Sequence, residues 1–356
     1  MDEREDGKHP ATAKDHRANN LDFLRLFFAV LVLYSHSYSL YYGYECDPLM
    51  RWTHGQISFG QLAVNGFFSI SGYLITISWL RSQGLWDFAV RRALRIYPGF
   101  IAALLVGMLV VGPLSGVDLH AYFHDKWTYR YLSMIFLTYL QLPGTFPRNP
   151  VPQEVNGSLW TIRYEIVCYM LVAALGVVKL LRREAVIPLW IVVMAAWAIL
   201  RAHATQLVFI GAPSQLPRLT AFFVSGMIFA LWQDKIRYSG LGALACAGLL
   251  IVANYFRLLW YVLPLLQTYI VFFISFDNRI RLQNTGRYGD FSYGAYLFAF
   301  PIQQLLICYF RPELEPLTLF VAALPLTLIA AFLSWRLVEK PALSLKSHAL
   351  RQDKSG

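Results

Sequence analysis

Apolar residues fall in long blocks along this chain, separated by short polar stretches. A helix needs roughly 20 apolar residues to cross a bilayer. With that window, ten candidate segments emerge, at about 21–42, 61–80, 96–113, 159–180, 186–201, 215–233, 239–256, 258–276, 291–309 and 317–335. The first block is too long for a signal-peptide apolar region, and no small-x-small cleavage site follows it, so it reads as a retained transmembrane helix. A shorter run, 131–142 (YLSMIFLTYLQL), ends at Pro143-Gly144. It is expected to be an interfacial or re-entrant piece within a long outer loop, 114–158. The expected fold class is all-α: a polytopic transmembrane helix bundle of about ten spans. A polar tail, 1–20, precedes the transmembrane domain, 21–335, and a second tail, 336–356, follows it.

Composition sharpens the picture. The 356 residues are 57% hydrophobic and only 15% charged, where a soluble domain carries about 25% charge. The mean hydropathy is +0.45. A disordered chain, a secreted disulfide scaffold and an ordinary cytosolic enzyme are thereby excluded. The net charge of +10 would suggest nucleic acid in a soluble protein, but its distribution argues otherwise. If the N-terminus is cytoplasmic, 21 of the 31 Lys and Arg fall on that side and seven on the other. This bias follows the positive-inside rule, predicts both termini in the cytoplasm, and explains the basic charge without nucleic acid. Trp52, Trp79, Trp127, Trp232, Trp260 and Trp335 lie near segment ends, as interfacial belts require. Cys46, Cys168, Cys246 and Cys308 show no CxxC spacing. Neither a disulfide framework nor a metal site is expected from them.

Ionisable groups inside a bilayer are costly, so each is a functional candidate. The first segment carries Asp22, Arg25 and His36, the fourth Arg163 and Glu165, and the sixth Arg218. Arg25 and His36 are eleven residues apart, close to three whole helical turns, which puts them on one face about 16 Å apart along the axis. A tunnel along that face could hold a long anionic molecule at Arg25 and present its reactive end to His36. A neutral imidazole can take a proton from a hydroxyl near neutral pH. The plainer reading is a histidine hydrogen-bonded to a neighbouring helix. The stretch 81–95 reads as a cytoplasmic loop. At its end Arg92 and Arg95 share a helix face, and paired guanidiniums there could clamp phosphates. Ordinary positive-inside anchoring is the alternative. Glu165 lies two residues from Arg163, a spacing that does not pair on a helix, so it is expected to face another helix or a cavity. The Gly- and Ser-containing runs 66–75 and 289–297 read as sites of close helix packing.

In this order, these pieces resemble the acyltransferase-3 family of integral membrane acyltransferases. LDFLRLFFAVLVLYSH contains the family's Arg, ten residues, His spacing at Arg25 and His36. FFSISGYLIT at 67–76, RRALRIYP at 91–98, GSLWTIRYEIVCY at 157–169, GDFSYGAYLFAFPIQQ at 289–304 and VEKP at 338–341 resemble five further blocks. Together they span nearly the whole chain. In the late block, Ala299 stands where the family often has histidine.

The resemblance implies a bacterial inner-membrane enzyme that moves an acyl group, usually acetyl from acetyl-CoA, to a hydroxyl of a cell-surface or lipid-linked carbohydrate. By it His36 is the catalytic histidine, Arg25 supports it or contacts the donor, and Arg92 and Arg95 hold coenzyme A phosphates. Glu165 belongs to the acceptor site, and Trp160, Ser71 and Tyr293 are substrate-binding candidates. The expected partners are an acyl-CoA donor, a glycan acceptor and membrane lipids, with no permanently bound cofactor. General-base catalysis and an acyl-histidine intermediate remain open alternatives. A transporter or flippase of lipid-linked sugars is the competing reading, although the inverted repeats common in carriers are not seen. A structural or sensor subunit is a third.

Overall fold

The computed structural model describes residues 19–345, apart from 139–140, 203–213, 278, 281, 283–288 and 312. Among the described residues the regular structure is entirely helical and contains no strand. Ten long helices are present: α1 (Leu21–Tyr42), α2 (Phe59–Leu80), α3 (Leu85–Val106), α4 (Ile162–Val177), α5 (Arg183–Ala202), α6 (Gln215–Leu231), α7 (Gly240–Tyr255), α8 (Leu259–Phe276), α9 (Ser292–Phe310) and α10 (Pro316–Ser334). Each coincides with one of the ten apolar segments to within a few residues, except at the start of α3. Eight are long and apolar enough to cross a membrane; α6 and α7 are shorter apolar helices. The chain is therefore an integral, multi-pass membrane protein.

Local chemistry sets several boundaries. Ser58 caps α2 by accepting from the Gln61 N–H at 3.1 Å, an interaction that satisfies one free donor of the first turn. Gly43 ends α1 in the left-handed conformation, φ +85°, which glycine adopts without a Cβ penalty. The stretch 81–95 is not a loop: α3 begins at Leu85, so Arg91, Arg92 and Arg95 are helical. An Asp87–Arg91 pair at 2.6 Å, one turn apart, supports this polar first part. The helix then continues through a π-helical turn, Gly107–Val111. The run 131–142 forms no spanning helix among the described residues; it holds a 3₁₀ turn, Tyr131–Phe136, that buries Tyr131 and Met134.

Only the inner ends of the two expected tails fall within the described residues. Residues 1–18 and 346–356 lie outside the described residues. Asn20, assigned to the first tail, is buried and donates to the carbonyls of Ile274 and Ile280 at 2.8 and 2.7 Å. The second tail starts as helix: α10 runs on through a π-helical turn, Trp335–Glu339, and a short helix, Lys340–Ser344.

The helix α1 packs among α2, α9 and α10, and α2 lies closely along α6. The α2–α6 contact depends on two glycines. A methyl group at Gly72 would run into the Phe223 carbonyl, and one at Gly226 into the Ser69 carbonyl. Without Cβ atoms the two backbones touch, which buries α6 continuously from Pro217 to Met227. The expectation of close packing for the run 66–75 is met here.

Candidate active site

The helices α1 and α9 run side by side, and α1 turns one face toward α9 along its length. Near the end of the bundle that carries most of the basic residues, Arg25 pairs with Asp290, in the turn that leads into α9. Farther along, the His36 ring meets the Phe300 ring edge-on at 5.2 Å. Arg25 and His36 thus share the face that their spacing predicts. His36 Nδ1 is buried and finds no hydrogen-bond partner among the described residues. A helix-to-helix hydrogen bond through this nitrogen is therefore not what holds the ring.

A cavity of about 120 Å³ lies between α1, α2, α3, α4 and α9. Arg25, Arg92 and Arg95 contribute charge to its wall, and Ser71, Glu165 and Tyr293 also line it. The arginines of the first and third segments, far apart in the sequence, are brought together as the tunnel reading requires. Glu165 faces this space, as expected, rather than Arg163. It accepts from the Tyr169 hydroxyl one turn along α4 and from Ser71 Oγ at 3.3 Å. Arg163 instead stacks on Tyr164, 4.8 Å from the ring centroid. Tyr293 donates to the Ile96 carbonyl at 2.9 Å, and the Arg95 guanidinium lies over its ring, 5.8 Å from the centroid. Arg218 is taken up elsewhere, by Asn65 at 2.9 Å and Gln215 at 2.8 Å.

Two expected site residues are not in the cavity wall. Trp160 stacks edge-on with Tyr164 at 5.5 Å, while its neighbours Thr161 and Ile162 line the space. The 3₁₀ turn Gly157–Thr161 rotates the indole away and Thr161 inward, where Thr161 pairs with the Tyr296 hydroxyl at 2.6 Å. His36 also stands outside. Tyr296 lines the cavity, and Phe300, the residue against His36, is four positions farther along α9. The imidazole is thus about one helical turn beyond the far end of the cavity.

Two acidic residues complete the basic end, and neither was singled out from the sequence. Asp290 Oδ2 accepts from both Arg25 and Arg95. Burial by itself would raise the Asp290 carboxyl, but the Arg25 and Arg95 charges outweigh it and hold it well below the usual carboxylate range. Glu339, in the π-helical turn after α10, accepts from Ser334 Oγ at 2.9 Å. Its other oxygen is 3.9 Å from Arg95 Nη1. Such turns often mark functional sites. The available signal for both was an acid at the edge of an apolar segment, inside the GDFSYG and VEKP runs. The run 289–297, read as packing, does pack closely at Gly294 against Ala331, yet it also carries this carboxylate.

Comparison with known proteins decides the family. The pattern described as an acyltransferase domain, that of the acyltransferase-3 family, matches residues 18–336. The chain belongs to the acyltransferase-3 family. It is similar to the "O-acetyl transferase" of Shigella phage Sf6, with 30% identity over 95% of this chain and all of that protein. It is also similar to "Nodulation protein 10" of Rhizobium leguminosarum bv. viciae, with 26% identity over 93% of this chain and 95% of that one. No solved structure matches it. As a member of this family the chain is a membrane acyltransferase, and the transporter and sensor readings give way.

Proposed function

We propose that this acyltransferase transfers acetyl from acetyl-CoA to a hydroxyl of a cell-surface or lipid-linked carbohydrate. It would do so in a bacterial inner membrane, with the basic end of the bundle in the cytoplasm. The observation that carries this reading is the alignment of groups along the α1–α9 seam. Arg25, Arg92 and Arg95 line one cavity, and the unpaired His36 imidazole lies beyond its far end on the same helix face as Arg25. The cavity holds about 120 Å³. The pantetheine arm would thread it, with the phosphates held at the arginines and the nucleotide outside. The name of the phage relative supports acetyl as the group, and the positive-inside bias of the chain supports the orientation.

In this reaction His36 acts as general base. It takes the proton of the acceptor hydroxyl as the oxygen attacks the thioester carbonyl. The carbon–sulfur bond breaks, the ester forms, and the imidazolium returns the proton to the departing thiolate. Glu165, held by Ser71 and Tyr169, would accept a hydrogen bond from a second acceptor hydroxyl.

Incubating purified protein with acetyl-CoA, with and without glycan, tests the reading. Free thiol should appear together with O-acetylated glycan. Absence of both in correctly inserted protein would remove acetyl-CoA as the donor.

A further inference from the structure

The three guanidiniums that face the cavity are not equivalent. Arg25 and Arg95 both donate to Asp290 Oδ2, and Arg95 also lies 3.9 Å from Glu339. Arg92 has a buried Nε without a hydrogen-bond partner among the described residues. The second oxygen of Asp290 is also engaged, by the Ser292 N–H at 3.2 Å and by the Ser292 hydroxyl. Both Asp290 oxygens are thus occupied, and it is the neighbours Arg25, Arg95 and Ser292, not Asp290, that line the cavity.

We propose that Asp290 is a positioning residue for the acyl donor, an inference that rests on the acetyl-CoA reading above. It joins α1 to α3 through one carboxylate, offsets the repulsion between two cations, and fixes both guanidiniums against the cavity. The N–H groups not spent on Asp290 then point at the donor, while Arg92 is left free to take an anionic oxygen outright. Two cations without this carboxylate would move apart or recruit water, and the donor would have to reorganise them on binding. Gly289 sets the turn that delivers Asp290: its φ is +132°, and a side chain there would strike the Trp335 indole.

The test is acetyl-transfer kinetics with acetyl-CoA varied at saturating glycan, for Asp290→Asn, Asp290→Glu and Ser292→Ala in membranes with matched insertion. Asp290→Asn should raise the acetyl-CoA KM at least tenfold while kcat changes less than threefold, and Asp290→Glu should recover part of the loss. A wild-type KM in Asp290→Asn overturns the proposal. If Asp290→Asn fails to insert, Ser292→Ala keeps the charge, removes the hydroxyl tether and takes one hydroxyl from the cavity wall. It should then raise KM twofold to fivefold, and an unchanged KM overturns the proposal. If the wild type shows no acetyl-CoA-dependent transfer, the donor reading fails separately. The Asp290 inference is then judged by phenylglyoxal labelling with mass-spectrometric mapping. Arg25 and Arg95 should react at least threefold faster in whichever Asp290 variant inserts than in the wild type, and equal rates overturn it.

Discussion

Arg95 and Asp290 form an ion pair across 195 positions of chain, tying α3 to the start of α9 at the basic end of the bundle. Burial opposes ionisation of Asp290, but the two arginines outweigh it and lower its carboxyl. A carboxylate lowered in the folded state contributes stability that is full above its unfolded value, near 4. That contribution is lost as pH falls through the folded value. Removing one partner of such a buried pair costs on the order of 3 kcal/mol. The difference in thermal stability between wild type and Asp290→Asn, measured in detergent, should therefore stay constant from pH 8 to pH 5. It should narrow only in stronger acid. A difference that already shrinks between pH 7 and pH 5 would contradict the pairing.

The Gly289 backbone gives a second prediction. Gly289→Ala meets both an unfavourable φ and the Trp335 ring, so it should displace Asp290 and lower acyl transfer at least tenfold. Gly248→Ala, where an added methyl meets nothing within 4 Å, should leave transfer at the wild-type level. Equal activity in the two variants would show that the turn before α9 tolerates movement.

Helix contact gives a third. Gly72→Ala forces a methyl into the Phe223 carbonyl and should destabilise the bundle by about 1–3 kcal/mol, the usual cost of overpacking. Thermal unfolding in detergent reads this directly. A melting temperature unchanged from wild type would mean that α2 and α6 separate at no cost.

Glu165 separates charge from hydrogen bonding. Glu165→Gln keeps an acceptor for Ser71 and Tyr169 but removes a negative charge from the wall that carries Arg92. Turnover should fall at least fivefold without any rise in the acetyl-CoA KM. A rise in KM alone would assign Glu165 to the donor side instead.

Much of this architecture is legible in the apolar blocks, because each long helix is one hydrophobic run bounded by polar residues. The start of α3 is the exception. Asp87, Arg91, Arg92 and Arg95 break the apolar pattern, and only their one-turn spacing signals that the helix reaches back to Leu85. The shared face of Arg25 and His36 follows from helical period alone. Asp290, Glu339 and Asn20 could not be assigned in the same way. Their roles come from contacts with residues far away in the chain: Asn20 reaches Ile274, Asp290 reaches Arg25, and Glu339 approaches Arg95. A periodic pattern within one segment carries no record of such pairings. Trp160 lies outside the cavity wall for a local reason, since the 3₁₀ turn rotates it away from the space that its neighbours line.

In the proposed reaction His36 performs the proton transfer. Acetyl transfer to glycan by His36→Ala, in membranes where its insertion equals wild type, tests this most directly. Loss of a general base costs about 10²–10⁴ in rate, so transfer should fall at least a hundredfold while acetyl-CoA still binds at the arginines. Transfer at the wild-type rate would contradict the assignment of His36.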